Sequence, residues 1–380
     1  MKAKTKIAIA CQGGGSQTAF TAGALKAFCD ANILDEFEVV SISGTSGGAV
    51  CAALVWFALE KGETPPWERL LRFWKDNTAQ SWTERIFNDS VVTTIRMANL
   101  GLFPTFQISP SSPFLQTMTA MATVGHRETF RDFRALLESH IDFAEVASWG
   151  PRTKRPILMI GAANVTTGRL TKFISLHQRI RAEHILASCA VPNIFPAVLI
   201  DGDAYWDGLF SDNPPLQELV RPTSVGPENI PEEIWLVKIN PTTCERVPEQ
   251  TDQIMDRRNQ LEGNISLFQQ LRHLEMLNNM LLDNALRSEY IAQFDIKAPI
   301  RIPKSFSEDA DRSYHIPCVE MPDELQSMLD FESKLDRSSF NIDRLIAEGE
   351  TSGKRFLQER RAAVSDQSAR RRGQADIRSP

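Results

Sequence analysis

The residues best suited to chemistry begin with a serine set among glycines, in the Gly-Thr-Ser-Gly-Gly run at residues 44–48. Residues 37–43 before it have the apolar, β-branched character of a strand, and an apolar helical pattern follows it. Such a run also arises by chance in glycine-rich turns, but its position between a strand and a helix indicates a nucleophile elbow. Gly44 and Gly48 are predicted to permit the sharp turn and the close approach of the helix. Because a helix N-terminus stabilises negative charge, Ser46 is the candidate nucleophile.

A second glycine group, Gly13, Gly14 and Gly15, lies between a predicted strand at residues 5–11 and another helical pattern. Backbone amides at such a turn can bind an anion. As a dinucleotide-binding fingerprint the run lacks its third glycine, and the next strand ends in a serine rather than in a ribose-binding carboxylate. We therefore predict that the three glycines form an oxyanion hole beside the serine.

The base that would serve Ser46 is less evident. The order Ser46, Asp207, His315 superficially matches an α/β-hydrolase triad, but that fold places more strands before its serine than these roughly 45 residues can supply. The six histidines also lack any motif context. Asp207 and Gly208 follow a predicted hairpin at residues 199–206, so the carboxylate is held at a tight turn, although an Asp-Gly pair taken alone indicates only a turn.

Taken together, these residues resemble the patatin-like phospholipases. That family has an N-terminal strand and glycine-rich oxyanion loop, a Gly-x-Ser-x-Gly elbow about 30 residues later, and a distant Asp-Gly pair that carries the second member of a catalytic dyad. The resemblance extends from residue 5 to about 245 and includes the connecting runs at 187–192, 195–197 and 212–214. The segments at 256–259 and 332–335 resemble the C-terminal part of bacterial members.

The resemblance implies a three-layer α/β/α fold with a mainly parallel central sheet and C-terminal helices. Two strand-turn-helix units within the first 60 residues independently favour such a sheet. It also implies a serine lipid acyl hydrolase of the phospholipase A or lysophospholipase type, in which Ser46 forms an acyl-enzyme, Asp207 is the general base and Gly208 supports the turn. No metal or cofactor is implied, and the expected substrate is a membrane or micellar phospholipid.

Two departures from the family pattern leave other functions open. Gln17 and Thr18 follow the glycine loop where the family usually has a cation and a glycine, and Leu209 replaces the second glycine of the carboxylate motif. An acyltransferase or a carboxylesterase acting on other esters could use the same scaffold. A catalytically silent lipid-binding protein is the third hypothesis, although Ser46 and Asp207 are both present.

Charge and composition exclude several other classes. The chain of 380 residues has 42 Lys and Arg against 48 Asp and Glu, a net charge of −6, so nucleic-acid binding is not expected. The sequence identifies no specific protein partner. The longest apolar run is far shorter than the roughly 20 residues of a membrane-spanning helix. Six scattered cysteines without C-x-x-C spacing, and a basic but scarcely apolar N-terminus, predict a cytoplasmic location. The expected phospholipid substrate implies peripheral contact with a membrane.

We predict one acyl hydrolase domain over residues 1–350, with residues 251–350 as its helical C-terminal part. Residues 351–380 are predicted to be a helix end and a basic, disordered tail. The segment at 97–125 contains no ionisable side chain, and its prolines and Gly101 exclude one continuous helix. This segment is expected to form a lid, an acyl-pocket wall, a surface that meets a membrane, or plain core.

Overall fold

The computed structural model describes residues 4–102, 109–150, 156–192, 194–244, 246–293 and 316–376, with side chains to residue 362. Within these residues one eight-stranded sheet forms the centre of the molecule. Its strands are β1 Thr5–Cys11, β2 Phe37–Thr45, β3 Ile157–Asn164, β4 Leu170–Ile174, β5 Val198–Ile200, β6 Asp203–Asp207, β7 Glu233–Lys238 and β8 Cys318–Glu320.

The centre of this sheet is parallel and one side of it is antiparallel. The order is β5-β6-β3-β2-β1-β7-β8. Strand β4 lies outside this order and pairs with the edge of β3 that faces away from β2 and β6. All pairs from β3 through β2, β1 and β7 to β8 are parallel, whereas β4, β5 and β6 are joined by antiparallel pairing. The parallel strands are apolar on both faces, as expected for strands covered by helices on both sides.

Helices cover both faces of the sheet. Those in the described residues are α1 Ala19–Asp30, α2 Ile33–Glu36, α3 Gly47–Lys61, α4 Glu68–Asn77, α5 Trp82–Asn99, α6 Pro113–Ala122, α7 Glu128–Arg131, α8 Phe133–His140, α9 Phe143–Trp149, α10 Ala182–Ser188, α11 Pro222–Val225, α12 Thr251–Leu282, α13 Ser288–Gln293, α14 Asp323–Gln326 and α15 Ser339–Asp376. Short 3-10 turns occupy Gly15–Thr18, Gly208–Phe210, Gln217–Val220, Pro227–Asn229 and Glu332–Lys334.

Alternate residues of β1 show the two layers directly. Ile7 and Ile9 belong to the core shared with α1, α3 and α15, whereas Ala8 and Ala10 belong to a second core shared with α12. Because side chains alternate across a strand, the sheet lies between two helical layers. The expected three-layer α/β/α fold is therefore confirmed.

The longest helix crosses α1 at very short range. A Cβ atom on Gly349 of α15 would collide with the backbone of α1, and one on Gly23 would collide with the backbone of α15. A Cβ atom on Gly353 would lie 2.9 Å from the Cβ of Ala27 in α1. Glycine at all three positions lets the two helices touch. Since α1 follows the glycine loop, this crossing anchors the loop to the C-terminal part of the chain.

The predicted and observed elements differ mainly after residue 316. The sequence predicts helix from residue 324 to 363, whereas the chain forms the short α14, a 3-10 turn and then α15, which continues to Asp376. The edge strand β8 was not predicted, because three residues are too few for a period to show. Among the described helices none has the length and apolar character needed to span a bilayer.

Candidate active site

Ser46 occupies a strained turn between β2 and α3. Its φ and ψ angles are 54° and −132°, a conformation that L-residues rarely adopt. A Cβ on Gly44 would lie 2.5 Å from the carbonyl oxygen of Gly48, and one on Gly48 would lie 2.7 Å from that of Gln12. The turn therefore needs glycine at both predicted positions, and it leaves the Ser46 side chain half-buried at the carboxyl edge of the sheet.

Strand register brings Asp207 to the same edge. Thr45, the last residue of β2, pairs with Gly161 of β3, and Asp207, the last residue of β6, pairs with the next β3 residue, Ala162. One edge of β3 pairs with β4, so β2 and β6 both pair with its other edge. They do so one after the other, and the ends of β2 and β6 that carry Thr45 and Asp207 therefore meet. A Cβ on Gly208 would lie 2.7 Å from Cγ2 of Thr45, so only glycine fits at this junction.

The environment of Asp207 favours a proton acceptor near neutral pH. The carboxyl group is 1% exposed, and its Oδ1 accepts a hydrogen bond of 2.7 Å from the Leu209 amide. Oδ2 accepts no hydrogen bond from the described residues. Burial raises the pKa of Asp207 to about 7, although the Leu209 amide and the nearby Ser46 hydroxyl both act to lower it.

Two residues at the C-terminal end of α10, Ser188 and Cys189, lie next to Ser46. The Ser46 amide donates a hydrogen bond of 2.9 Å to Oγ of Ser188, which holds the strained turn. Cys189 also neighbours the Ser46 side chain, and burial raises the pKa of its thiol well above the usual value. The thiol form is therefore favoured, and a thiol is a weaker nucleophile than a thiolate.

The glycine loop packs directly against the elbow. A Cβ on Gly13 would lie 2.6 Å from the Thr45 carbonyl oxygen and 2.8 Å from Cβ of Ser46. The Gly13 amide donates a hydrogen bond of 2.7 Å to Oδ1 of Asn213, so its hydrogen is engaged and is not free to bind an oxyanion. No described residue accepts a hydrogen bond from the amides of Gly14 or Gly15. The candidate oxyanion donors are therefore these two amides.

The two departures from the family pattern leave this backbone intact. Gln17 is buried, and its Nε2 donates hydrogen bonds to the Asp330 carbonyl (3.2 Å) and to Oγ of Ser333 (2.8 Å). It therefore ties the glycine loop to the C-terminal segment instead of carrying a charge. Leu209 acts on Asp207 through its backbone amide, which any non-proline residue supplies.

The histidines in the described part of the chain lie in other environments. His140 pairs with Asp76 at 3.1 Å, and His184 stacks on Phe173 with ring centroids 4.2 Å apart. Neither these nor the other described histidines form a hydrogen bond with Ser46 or with the candidate base. His315, the one histidine in the superficial triad order, lies outside the described residues. The described part of the chain also contains no group of side chains that could hold a metal ion.

Sequence reasoning missed two side chains that hold the site together, Ser188 and Asn213. Each lies in a connecting segment whose sequence resembles that of the family, at residues 187–192 and 212–214, but no role was assigned to it. Their roles depend on hydrogen bonds to residues more than 140 positions away. The type of a single residue and its sequence neighbours do not reveal such distant contacts, so the two roles could not be predicted.

A strained serine at a strand-to-helix turn, on a mainly parallel sheet between two helical layers, defines an α/β protein with a nucleophile elbow. The sequence matches the family model described as patatin-like phospholipase over residues 9–220, which is more than half of the chain. The protein belongs to this family, and it is an ester-hydrolysing enzyme that acts on lipid acyl groups.

The solved structures that are similar to the chain include the following two. VipD from Legionella pneumophila is 13% identical, with a TM-score of 0.40 over 94% of this chain and 67% of that one. The heterodimeric ExoU–SpcU complex from the type III secretion system of Pseudomonas aeruginosa is 14% identical, with a TM-score of 0.26 over 78% of this chain and 57% of that one. No curated protein gives a significant match.

Proposed function

We propose that the protein is a phospholipase A or lysophospholipase that cleaves fatty-acyl esters through a dyad of Ser46 and Asp207. The observation that carries the proposal is the meeting of the two strand ends. In support of the dyad, Ser46 is strained, and the nearby carboxyl group of Asp207 is buried, has a pKa of about 7 and has no partner for its Oδ2 among the described residues. An ordinary aspartate titrates near 3.9 and is a weak base toward an alcohol, so the raised pKa supplies what the reaction needs.

Acylation begins when Asp207 accepts the hydroxyl proton of Ser46 while Oγ attacks the ester carbonyl carbon. Negative charge develops on the carbonyl oxygen, where the amides of Gly14 and Gly15 donate hydrogen bonds. The protonated Asp207 then gives its proton to the departing alkoxide. The products of this half-reaction are the lysolipid or glycerol derivative and an ester of Ser46.

Deacylation repeats the same steps with water. Asp207, again ionised, accepts a proton from a water molecule as its oxygen attacks the acyl-enzyme carbonyl. Collapse of the intermediate returns that proton to Oγ of Ser46 and releases the fatty acid. Both half-reactions require ionised Asp207, so turnover is expected to fall as the pH drops below about 7.

The uncharged segment supports an aggregated lipid as the substrate. Helix α6 has no buried residue, and Phe114 and Met121 are 65% and 67% exposed. Plain core packing therefore does not describe this part of the segment, whereas Phe103 and Phe106 lie outside the described residues. Exposed apolar side chains on a helix suit insertion into a lipid surface, and the enzyme would then act as a peripheral protein of a membrane or micelle.

A panel of phospholipids and lysophospholipids, assayed with the parent and with Ser46→Ala, tests the function. The proposal predicts release of fatty acid by the parent and none by the variant. A fluorophosphonate probe should label the parent at Ser46 and leave the folded variant unlabelled. Addition of an alcohol acceptor separates the alternatives, since transfer of the acyl group to the acceptor in preference to water would make the protein an acyltransferase. Absence of labelling and of turnover in the folded parent would leave only lipid binding.

A further inference from the structure

Asn213 joins three parts of the candidate site through one buried side chain. Its Oδ1 accepts the hydrogen bond from the Gly13 amide (2.7 Å), and its Nδ2 donates to the carbonyl oxygen of Gly263 in α12 (3.2 Å). Its own amide donates to Oγ of Ser266, also in α12, at 3.0 Å. The residue is 1% exposed, so water does not compete for these bonds.

The chain that carries Asn213 is itself fixed to the end of β2. Oγ1 of Thr45 donates a hydrogen bond of 2.5 Å to the carbonyl oxygen of Asp212. Lys172, which lies on β4, forms ion pairs with Asp212 (2.5 Å) and with Glu218 (3.2 Å). Asn213 therefore projects from a segment whose position relative to Ser46 is set by the sheet.

We propose that Asn213 is a positioning residue that sets the glycine loop against the Ser46–Asp207 pair. This inference rests on the proposed function. Asn213 fixes the peptide plane before Gly13, and the next two amides along the chain are the candidate oxyanion donors. Without the Oδ1 acceptor, the Gly13 amide would be buried without a partner, and the loop would relax to satisfy it. Such a shift weakens binding of the oxyanion, which forms only during the reaction, and leaves binding of the ester unchanged.

Gln270 provides a matched control within the same structure. Its Oε1 accepts a hydrogen bond of 2.7 Å from the Leu216 amide, and its Nε2 donates to the Pro214 carbonyl at 3.0 Å. It is a buried amide that ties the same segment to α12, and it forms no hydrogen bond with the glycine loop among the described residues. Truncation of Gln270 should therefore loosen the segment without releasing the loop.

The experiment compares Asn213→Ala with Gln270→Ala in the full chain, using a soluble short-chain ester. Thermal unfolding measures stability, and titration with a fluorophosphonate counts competent sites. We expect both variants to unfold at lower temperature, but only Asn213→Ala to lose about 100-fold in kcat per titrated site, with KM within about threefold of the parent. If Asn213→Ala does not fold, Asn213→Ser, which keeps a smaller oxygen acceptor, replaces it in the same comparison and should lose at least tenfold in kcat.

A kcat per titrated site that is equal in the Asn213 and Gln270 variants would overturn the positioning role and reduce Asn213 to a structural residue. Ser46→Ala, assayed in parallel, separates this outcome from failure of the proposed function. If Ser46→Ala remains active, the dyad itself is wrong. If it is inactive while the Asn213 variant matches the Gln270 variant, only the positioning role is lost.

Discussion

The elbow region and the uncharged helical region are built in opposite ways. Around Ser46, the supporting side chains Ser188 and Asn213 are hydrogen-bonded, and glycines are packed so closely that a methyl group does not fit. Along α6, no residue is buried and the apolar side chains project outward. Under the proposed function, bond cleavage would use the closely packed region, and contact with the lipid would use the exposed apolar surface.

The uncharged region is nevertheless anchored at both ends by charged residues. Arg96, just before it, pairs with Asp330 at 3.1 Å, and Arg127, just after it, pairs with the buried Glu84 at 3.0 Å. The arginine and three backbone amides hold the pKa of Glu84 at about 2, despite the opposing effect of burial. Asp330 also accepts a hydrogen bond from Gln17, so the region and the glycine loop share one anchor.

Removal of either dyad member should have the largest effect. Ser46→Ala and Asp207→Ala are each expected to reduce kcat at least about 1,000-fold without unfolding the protein, because the two groups act as one unit. The double variant should be no slower than the worse single variant. Substantial activity in folded Asp207→Ala would assign the base role to another residue, with His315 as the first candidate.

Gly208→Ala tests the close packing at the strand ends. The added methyl carbon would lie 2.7 Å from Cγ2 of Thr45 and closer still to the Gly161 carbonyl oxygen, so the strand ends that hold Ser46 and Asp207 must shift relative to each other. We expect destabilisation of about 1–3 kcal/mol and a loss of about 100-fold in kcat. Gly202→Ala, at the exposed hairpin turn where a Cβ would meet no atom within 4 Å, is the control and should leave kcat unchanged. Equal kcat values for the two variants would show that close packing at Gly208 does not set the position of Asp207 relative to Ser46.

Charges on α6 test the exposed surface. Phe114→Asp combined with Met118→Asp should keep the unfolding free energy within about 0.5 kcal/mol of the parent, because both side chains are exposed. Turnover of vesicular phospholipid is expected to fall about tenfold, while hydrolysis of a soluble short-chain ester stays unchanged. Thr117→Asp with Gln116→Asp, on the same helix, adds equal charge without removing apolar surface. A double variant that hydrolyses vesicles as fast as the parent would make this surface irrelevant to the substrate.

The last prediction concerns the pH dependence of stability rather than of turnover. Folding raises the pKa of Asp207 to about 7 from about 3.9 in an unfolded chain, so the folded state binds more protons between these values. The parent should therefore lose stability as the pH rises from 4 to 7, by roughly 4 kcal/mol at most. Asp207→Asn removes this loss, and its gain in thermal stability over the parent should be larger at pH 8 than at pH 4. An equal difference at both pH values would contradict the raised pKa.

Local signals were sufficient to predict the elbow region but not its long-range contacts. Ser46 and its glycines could be recognised because the strand, turn and helix adjoin in sequence. Asp207 required a family resemblance, since its approach to Ser46 depends on the register of β3 with two strands far apart in the chain. The engagement of Gly13 by Asn213 could not be anticipated, because a run of glycines does not reveal which amides already have partners.

For the uncharged segment at 97–125, the sequence could not predict which of several roles the apolar residues have. Absence of charge indicated that the segment was unusual, but pocket wall, lid, membrane surface and core all require the same apolar residues. Only the exposure of Phe114 and Met118 separated the core from the others.

The central claim is that Asp207 is the base for Ser46, and the pH dependence of Ser46 phosphonylation tests it most directly. The second-order rate constant for a neutral fluorophosphonate should follow one titration with a midpoint near pH 7 in the parent and rise toward higher pH. In folded Asp207→Asn, the rate should be at least about 100-fold lower at pH 8 and should lose this titration. A midpoint near pH 4 in the parent, or an unchanged titration in Asp207→Asn, would contradict the account.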